Sequence, residues 1–174
     1  PLVVSGFCNA GIYVDGNARV QPFDSNRGGF AVGEGAGVMI LEELEGARRR
    51  GAPILGEIIG YGMSLDASGT WFEPDGKGLT KAIQSSINMA QLAPEQVDYV
   101  NAHGAATKIS DSVETDAVHS VFGDHAHDLQ ISSTKASTGH LLGAAGSVEA
   151  SIALMSIRAG KVPPTLNLEE PDSV

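Results

Sequence analysis

Apolar residues recur along this chain with two different periods, and the change from one to the other marks out the elements. Leu79, Ile83, Ile87 and Ala90 fall on one stripe of a helix over residues 77–92. Val113, Ala117, Val118 and Val121 form the stripe of a second helix that ends at Phe122-Gly123. Ser110-Asp111 opens that helix, with Glu114 three residues past Asp111 as in a capping box. Acid at the start and Arg48-Arg49-Arg50 at the end make residues 42–50 a short helix that complements its own dipole and stops at Gly51. The arginine run reads as a solvated helix end. Contiguous apolar stretches predict strands. One is buried, at Val38-Met39-Ile40-Leu41; a β-rich segment covers 54–63, a short strand 97–100, and another ends at Leu129-Gln130-Ile131.

The most apolar stretch starts at Leu141, carries no charge as far as Val148, and continues through Ile152, Leu154, Met155 and Ile157. A helix this apolar is expected at the centre of a domain, with Ser137 or Thr138 capping its first turn. Strands alternating with helices predict an α/β fold, a layered mixed sheet around that buried central helix. Residues 1–174 read as a single domain, with no linker and no internal repeat. Residues 5–11 read as a small-residue loop, and Val14-Asp15-Gly16-Asn17 holds a turn signal. The polar loop over 64–77 carries Trp71 and Phe72, which suit a cleft lining and simple packing equally well.

Composition narrows the function classes. A formal net charge of −10 argues against nucleic acid, because binding phosphates needs a basic face. The apolar run from Leu141 is broken by Glu149 and does not make a membrane span. The start, Pro1-Leu2-Val3-Val4, lacks the basic residues of a secretory leader, and without an initiator Met the chain reads as a fragment or processed product. One cysteine excludes an internal disulfide and suits a reducing compartment. Cys8 reads as a half-buried small hydrophobe rather than a nucleophile, since no strand-to-helix elbow surrounds it and no His lies nearby in sequence.

The candidate chemistry lies at the ends of the predicted elements. Asn101-Ala102-His103-Gly104 follows the strand over 97–100, at the end where α/β sheets bind ligands. Ser132-Ser133-Thr134-Lys135 follows the next strand, and Gly139-His140 precedes the apolar helix. Two imidazoles and an ammonium converging on one point suit stabilising negative charge on a carbonyl oxygen, as acyl transfer and enolate chemistry require. Lys135, buried at a strand end, needs an oxygen partner, and Glu114 is the expected one. His119, His125 and His127 read as solvated, their spacing fitting no familiar metal site. Gly33-Glu34-Gly35-Ala36-Gly37 lacks the context of a phosphate loop and is expected to pack against another backbone.

Asn101-Ala102-His103-Gly104 with Asp111 and Glu114, Ser132-Ser133-Thr134-Lys135, and Gly139-His140-Leu141-Leu142-Gly143-Ala144-Ala145-Gly146 together resemble the C-terminal half of the elongating β-ketoacyl carrier-protein synthases. Pro22-Phe23-Asp24, Arg27, Gly29-Phe30, residues 33–37 and Pro163-Pro164-Thr165-Leu166-Asn167-Leu168 also resemble motifs of that family. The resemblance covers nearly all of the chain after about Arg19. It implies the thiolase-like layered fold and the C-terminal portion of a ketosynthase, an acyltransferase of fatty-acid or polyketide synthesis. It further implies that His103 and His140 serve malonyl decarboxylation and enolate stabilisation, with Lys135 holding His140 and the charge balance. Thr107 matches a threonine that bonds the pantetheine arm; Asn101 and Glu149 match positions near a structural monovalent cation in some members. The implied partners are acyl carrier protein and a second ketosynthase subunit, as homodimer or heterodimer, with no separate cofactor and a cytoplasmic or organelle-matrix location. Three departures stand out. Cys8 does not match the family's nucleophile, a late Gly-Phe-Gly-Gly loop is absent, and Ala105-Ala106 replaces two residues of the usual Thr-Ser-Thr or Thr-Gly-Thr. The departures point to a rival expectation, a non-catalytic ketosynthase-like partner subunit.

Overall fold

The computed structural model describes residues 2–14, 16, 18–66 and 74–172. Trp71 and Phe72, with half of their loop, lie outside the described residues, as do Asp15 and Asn17 of the expected turn. The elements run α1 (Leu2–Asn9), α2 (Leu44–Arg49), α3 (Lys77–Ala90), β1 (Tyr99–Asn101), α4 (Lys108–Phe122), β2 (Gln130–Ser132), α5 (Lys135–Thr138) and α6 (Ala145–Ala159), with 3-10 turns at Pro94–Gln96, Gly123–His127 and Leu142–Ala144.

The core forms where the two striped helices meet. Ile87 of α3 packs with Val118, Val121 and Phe122 of α4, and Ala126 and Leu129 close the cluster. Ile83, Leu92, Val97 and Val100 border it. Each fully buried Val or Phe there contributes roughly 1.5–3 kcal/mol. α4 is the crossover between β1 and β2, which pair in parallel with Val100 opposite Ile131 and Asn101 opposite Ser132. The C-terminal ends of both strands therefore open on the same side, where the candidate residues begin.

Several elements depart from the pattern. The small-residue stretch at the start is helical, and Cys8 in it is exposed rather than half-buried. α4 starts three residues earlier than Asp111. Thr107 is its N-cap, accepting from the Ser110 N–H at 3.3 Å, so Asp111 and Glu114 are free to turn inward instead of forming a capping box. Residues 38–41 are not a buried strand: Val38 and Ile40 are each 89% exposed. Among the described residues the named strands form a single two-stranded sheet, which leaves the extended segments 33–43 and 54–63 without a ladder. Their glycines face inward. A Cβ at Gly37 would stand 2.7 Å from Ser147 Oγ, and one at Gly60 would strike the α3 backbone at Ser86 and Ala90. The helices approach these segments on the glycine side and leave the apolar side chains outward.

α6 also differs from expectation. The stretch from Leu141 to Ala144 is a turn, the helix starts at Ala145, and neither Ser137 nor Thr138 caps it. Met155 and Ile157 are 67% and 69% exposed. A helix apolar on every side is buried only where elements cover every side, and among the described residues they cover one. α2 matches its pattern: the Glu43 carboxylate accepts from the N–H groups of Glu45 and Gly46, and Arg48 and Arg50 pair with Glu45 and Glu42 in solvent.

The last described stretch is a strap. Ser133 N–H donates to Thr165 Oγ1 at 3.1 Å. The buried Asp24 carboxylate then accepts from Glu169 N–H and Glu170 N–H, both at 2.8 Å. Backbone bonds holding it low, those from Glu170, Asn26 and Glu169, keep the Asp24 carboxyl below its ordinary range.

Candidate active site

β1 ends at Asn101, and Ala102 N–H extends the ladder to Ser132 O at 2.9 Å. The chain then turns sharply at His103 and Gly104. Glu114, buried on α4, accepts both freed N–H groups of the turn, from His103 and Gly104, at 2.7 Å each. Burial pushes the Glu114 carboxyl up, and these two bonds oppose that shift. Gly104 has φ +40°, and a Cβ there would meet Ser133 Cβ at 2.5 Å, so the turn requires glycine. Ser133 Oγ closes it by donating to Gly104 O at 2.8 Å.

Lys135 opens α5 and is 1% exposed. Its ammonium donates to His103 O and to Glu149 Oε1, both at 2.5 Å. The expected partner, Glu114, is taken by the turn, and the acid that meets Lys135 comes from α6. Glu149 thus sits in an ion pair with Lys135.

His140 is held by backbone on both sides. Its N–H donates to Ala31 O at 2.7 Å, and Gly33 N–H donates to His140 O at 3.0 Å. The glycine-rich segment after Phe30 is therefore a close-packing strip, as its pattern suggested; a side chain at Gly33 would strike Thr138 O. The Phe30 ring meets the His140 ring edge-on with centroids 4.9 Å apart. The His103 ring lies 5.4 Å from the His140 ring at 76°. Leu142, in the left-handed region at φ +50°, donates its N–H to His140 Nδ1 at 3.1 Å. A neutral His140 accepting at Nδ1 carries its proton on Nε2.

Both rings are shifted toward the neutral form. Burial, then the Lys135 charge, then His140 bring the His103 pKa down to about 4, although the residue as a whole is exposed. Burial and then Lys135 lower His140, with Glu149 opposing. A neutral imidazole offers one N–H as a donor without a fixed positive charge, which suits an oxygen that becomes negative only during reaction.

The structure thus brings His103, His140, Lys135 and Glu149 into one cluster. Thr107 stands four residues from His103 at the start of α4, half-buried, its hydroxyl paired with Ser110 Oγ. Asn101 donates from Nδ2 to Tyr99 OH at 3.0 Å, and its buried Oδ1 has no hydrogen-bond partner. Orphaned hard oxygens of this kind suit a hard cation, so Asn101 fits the expected monovalent ion; Glu149 fits it less well, with Oε1 engaged by Lys135. Among the described residues no group of three or more His, Cys, Asp or Glu is placed to hold a metal ion. His125 Nε2 meets Val97 O at 3.0 Å, and His119 and His127 rest on each other. Sequence reading assigned no role to Phe30, Asp24 or Arg27, whose only signal was the stretch from Pro22 to Gly37.

Residues 55–169 match the family model "Beta-ketoacyl synthase, C-terminal domain", and residues 1–47 match its N-terminal domain. The chain belongs to the β-ketoacyl synthase family. It is 48% identical to the 3-oxoacyl-[acyl-carrier-protein] synthase 2 of Synechocystis sp. over 177 residues, covering 99% of this chain and 42% of that protein. It is 50% identical to the mitochondrial 3-oxoacyl-[acyl-carrier-protein] synthase of Arabidopsis thaliana over 157 residues, 88% of this chain and 34% of that one. The chain therefore spans about two fifths or less of the length of these relatives. Among solved structures, it matches a type II polyketide ketosynthase in complex with its acyl-carrier protein, with TM-score 0.93, 35% identity, 99% of this chain and 44% of that one. It also matches the ishigamide ketosynthase/chain length factor, with TM-score 0.91, 36% identity, 97% of this chain and 41% of that one. The fold is the thiolase-like α/β fold of these ketosynthases, with a parallel strand pair at its described centre.

Proposed function

We propose that this chain is the later portion of a β-ketoacyl carrier-protein synthase and supplies the site where a malonyl group loses carbon dioxide and the resulting enolate is held. The observation that carries this reading is the pair of imidazole rings at 5.4 Å, with the Leu142 N–H donating to His140 Nδ1. The bond between the malonyl C2 and its carboxylate breaks, carbon dioxide leaves, and the electron pair passes into the thioester carbonyl, whose oxygen becomes negative. The N–H groups of His103 and His140 donate to that oxygen. The enolate carbon then attacks the acyl thioester on the family's upstream cysteine, and the thiolate leaves. Lys135 donates to His103 O and orients the turn; it is the positioning member of the set. The Thr107 hydroxyl receives the pantetheine arm of an acyl carrier protein, the only carrier of substrate this reading invokes. Asn101, through its unpartnered Oδ1, would hold a monovalent cation, which would supply fixed charge to the scaffold; Glu149, engaged by Lys135, is the weaker candidate.

No helix among the described residues is long and apolar enough to cross a membrane. A cytoplasmic or organelle-matrix location accords with this reading, as does assembly with a second ketosynthase subunit.

The test is His140→Ala in the intact synthase. Decarboxylation of malonyl carrier protein should fall roughly 10²–10³-fold, the cost of losing one oxyanion donor, while acylation of the upstream cysteine, followed by intact mass, persists. Decarboxylation at the wild-type rate would make His140 structural. Ala105-Ala106 favours the second reading, a non-catalytic partner subunit, and the likeness to a ketosynthase/chain length factor accords with it. Incubating the intact protein with acyl carrier protein separates the two: a covalent acyl adduct marks the enzyme, and its absence marks the partner. An adduct mapped to Cys8 would overturn the assignment of the nucleophile to the upstream half.

A further inference from the structure

Arg27 is 3% exposed, and its guanidinium is bonded on every arm. Nε donates to Thr107 O at 3.0 Å and Nη2 to Lys108 O at 2.7 Å. Nη1 donates to Asp24 O at 2.9 Å and to Asp172 Oδ2 at 2.5 Å, and Asp111 Oδ2 lies 3.8 Å from Nε. Two residues on, Gly29 N–H donates to Ala106 O at 2.8 Å. Three successive carbonyls, those of Ala106, Thr107 and Lys108, are therefore held by one short segment, residues 27–29.

This clamp works against local preference in two ways. Ala106 is fully buried at φ +62°, a left-handed conformation that its Cβ disfavours. A cation at the first turn of α4 also faces the positive end of the helix dipole, and Asp111 and Asp172 offset it. Ion pairing alone would need only the carboxylates. The fork of donors instead reaches Thr107, whose hydroxyl caps α4, and the residue after it.

We propose that Arg27 is a positioning residue for the pantetheine arm: it fixes the turn over residues 106–108 and thereby the direction of the Thr107 hydroxyl. This rests on the reading of Thr107 given above. The imidazoles have their own supports, Glu114 and Lys135 for the His103 turn and the Ala31–Gly33 backbone for His140. Losing Arg27 should therefore weaken capture of the carrier-borne substrate and leave the chemical step in place.

The experiment measures kcat and KM for decarboxylation of malonyl carrier protein by the intact synthase carrying Arg27→Lys, Thr107→Val, or both. Lysine keeps the charge and loses the fork. The expected result is a KM raised about three- to tenfold for Arg27→Lys, the worth of the one neutral hydrogen bond from Thr107, with kcat within about threefold of wild type. The double variant should raise KM no further than Thr107→Val alone, because both changes remove the same contact. A KM raised by Thr107→Val but unmoved by Arg27→Lys would overturn the role of Arg27, and so would a fall in kcat at unchanged KM. No effect of Thr107→Val would instead overturn the reading of Thr107. Should Arg27→Lys fail to fold, Arg27→Gln carries the test, since its amide keeps a donor and loses the fork. A raised KM at constant kcat supports the proposal, and an unchanged KM overturns it.

Discussion

Glu149→Gln tests the least expected pairing in this site. Lys135 is 1% exposed, with its ammonium bonded to Glu149 and to one carbonyl. Glutamine keeps the shape of Glu149 and removes its charge, leaving a buried ammonium facing a neutral amide. Breaking a buried pair costs about 3–5 kcal/mol. The Glu149 side chain is still 19% exposed, so water screens part of the loss and the lower end, about 3 kcal/mol, applies. For an intact synthase of the relatives' length, about two and a half times this chain, each kcal/mol moves the melting midpoint by about 1–2 °C, so the variant should melt about 3–6 °C lower. Lys135→Met removes the stranded cation. The double variant should therefore recover part of the loss, with a coupling energy of about 0.5–3 kcal/mol in a double-mutant cycle. Melting is followed by calorimetry on the intact protein at constant salt. An unshifted midpoint in Glu149→Gln, or strict additivity in the cycle, would refute the pairing and return Lys135 to another partner.

Two further outcomes follow from the turn at His103. Its folded pKa, about 4, lies below the ordinary histidine value of roughly 6.5, so between those values the unfolded chain binds a proton that the folded chain refuses. His103 thus costs stability as pH falls through that window and nothing above it; wild type should lose more melting temperature than His103→Asn between about pH 7 and pH 5, and parallel curves would mean a freely solvated ring. Gly104→Ala adds a Cβ 2.5 Å from Ser133 Cβ at φ +40°, and should destabilise by about 2–4 kcal/mol from backbone strain and overpacking together; a melting midpoint within about 1 °C of wild type would show that the turn relaxes freely.

The helices α2, α3 and α4 and the strands β1 and β2 were legible because their signals are local. The stripe Leu79, Ile83, Ile87 and the charge order of residues 42–50 depend on neighbours three or four positions away. Their ends moved by a few residues where a cap decided them, as Thr107 did for α4. His103 and His140 could be singled out because each is a polar residue beside glycine at the end of an apolar element, and Lys135 because it follows a strand end. Burial was not legible. Residues 38–41 and the far side of α6 are apolar, but apolar character states only what a surface favours, and whether anything covers it depends on elements distant in sequence. Nor could the choice between Glu114 and Glu149 be read. Both are acids on helices near the site, and what decides between them is geometric: the turn after β1 leaves two N–H groups facing α4, so Glu114 goes there, and α6 then brings Glu149 to Lys135. Arg27 shows the same limit. Its partners are backbone carbonyls some 80 residues away, and a carbonyl has no side-chain identity from which sequence could name it.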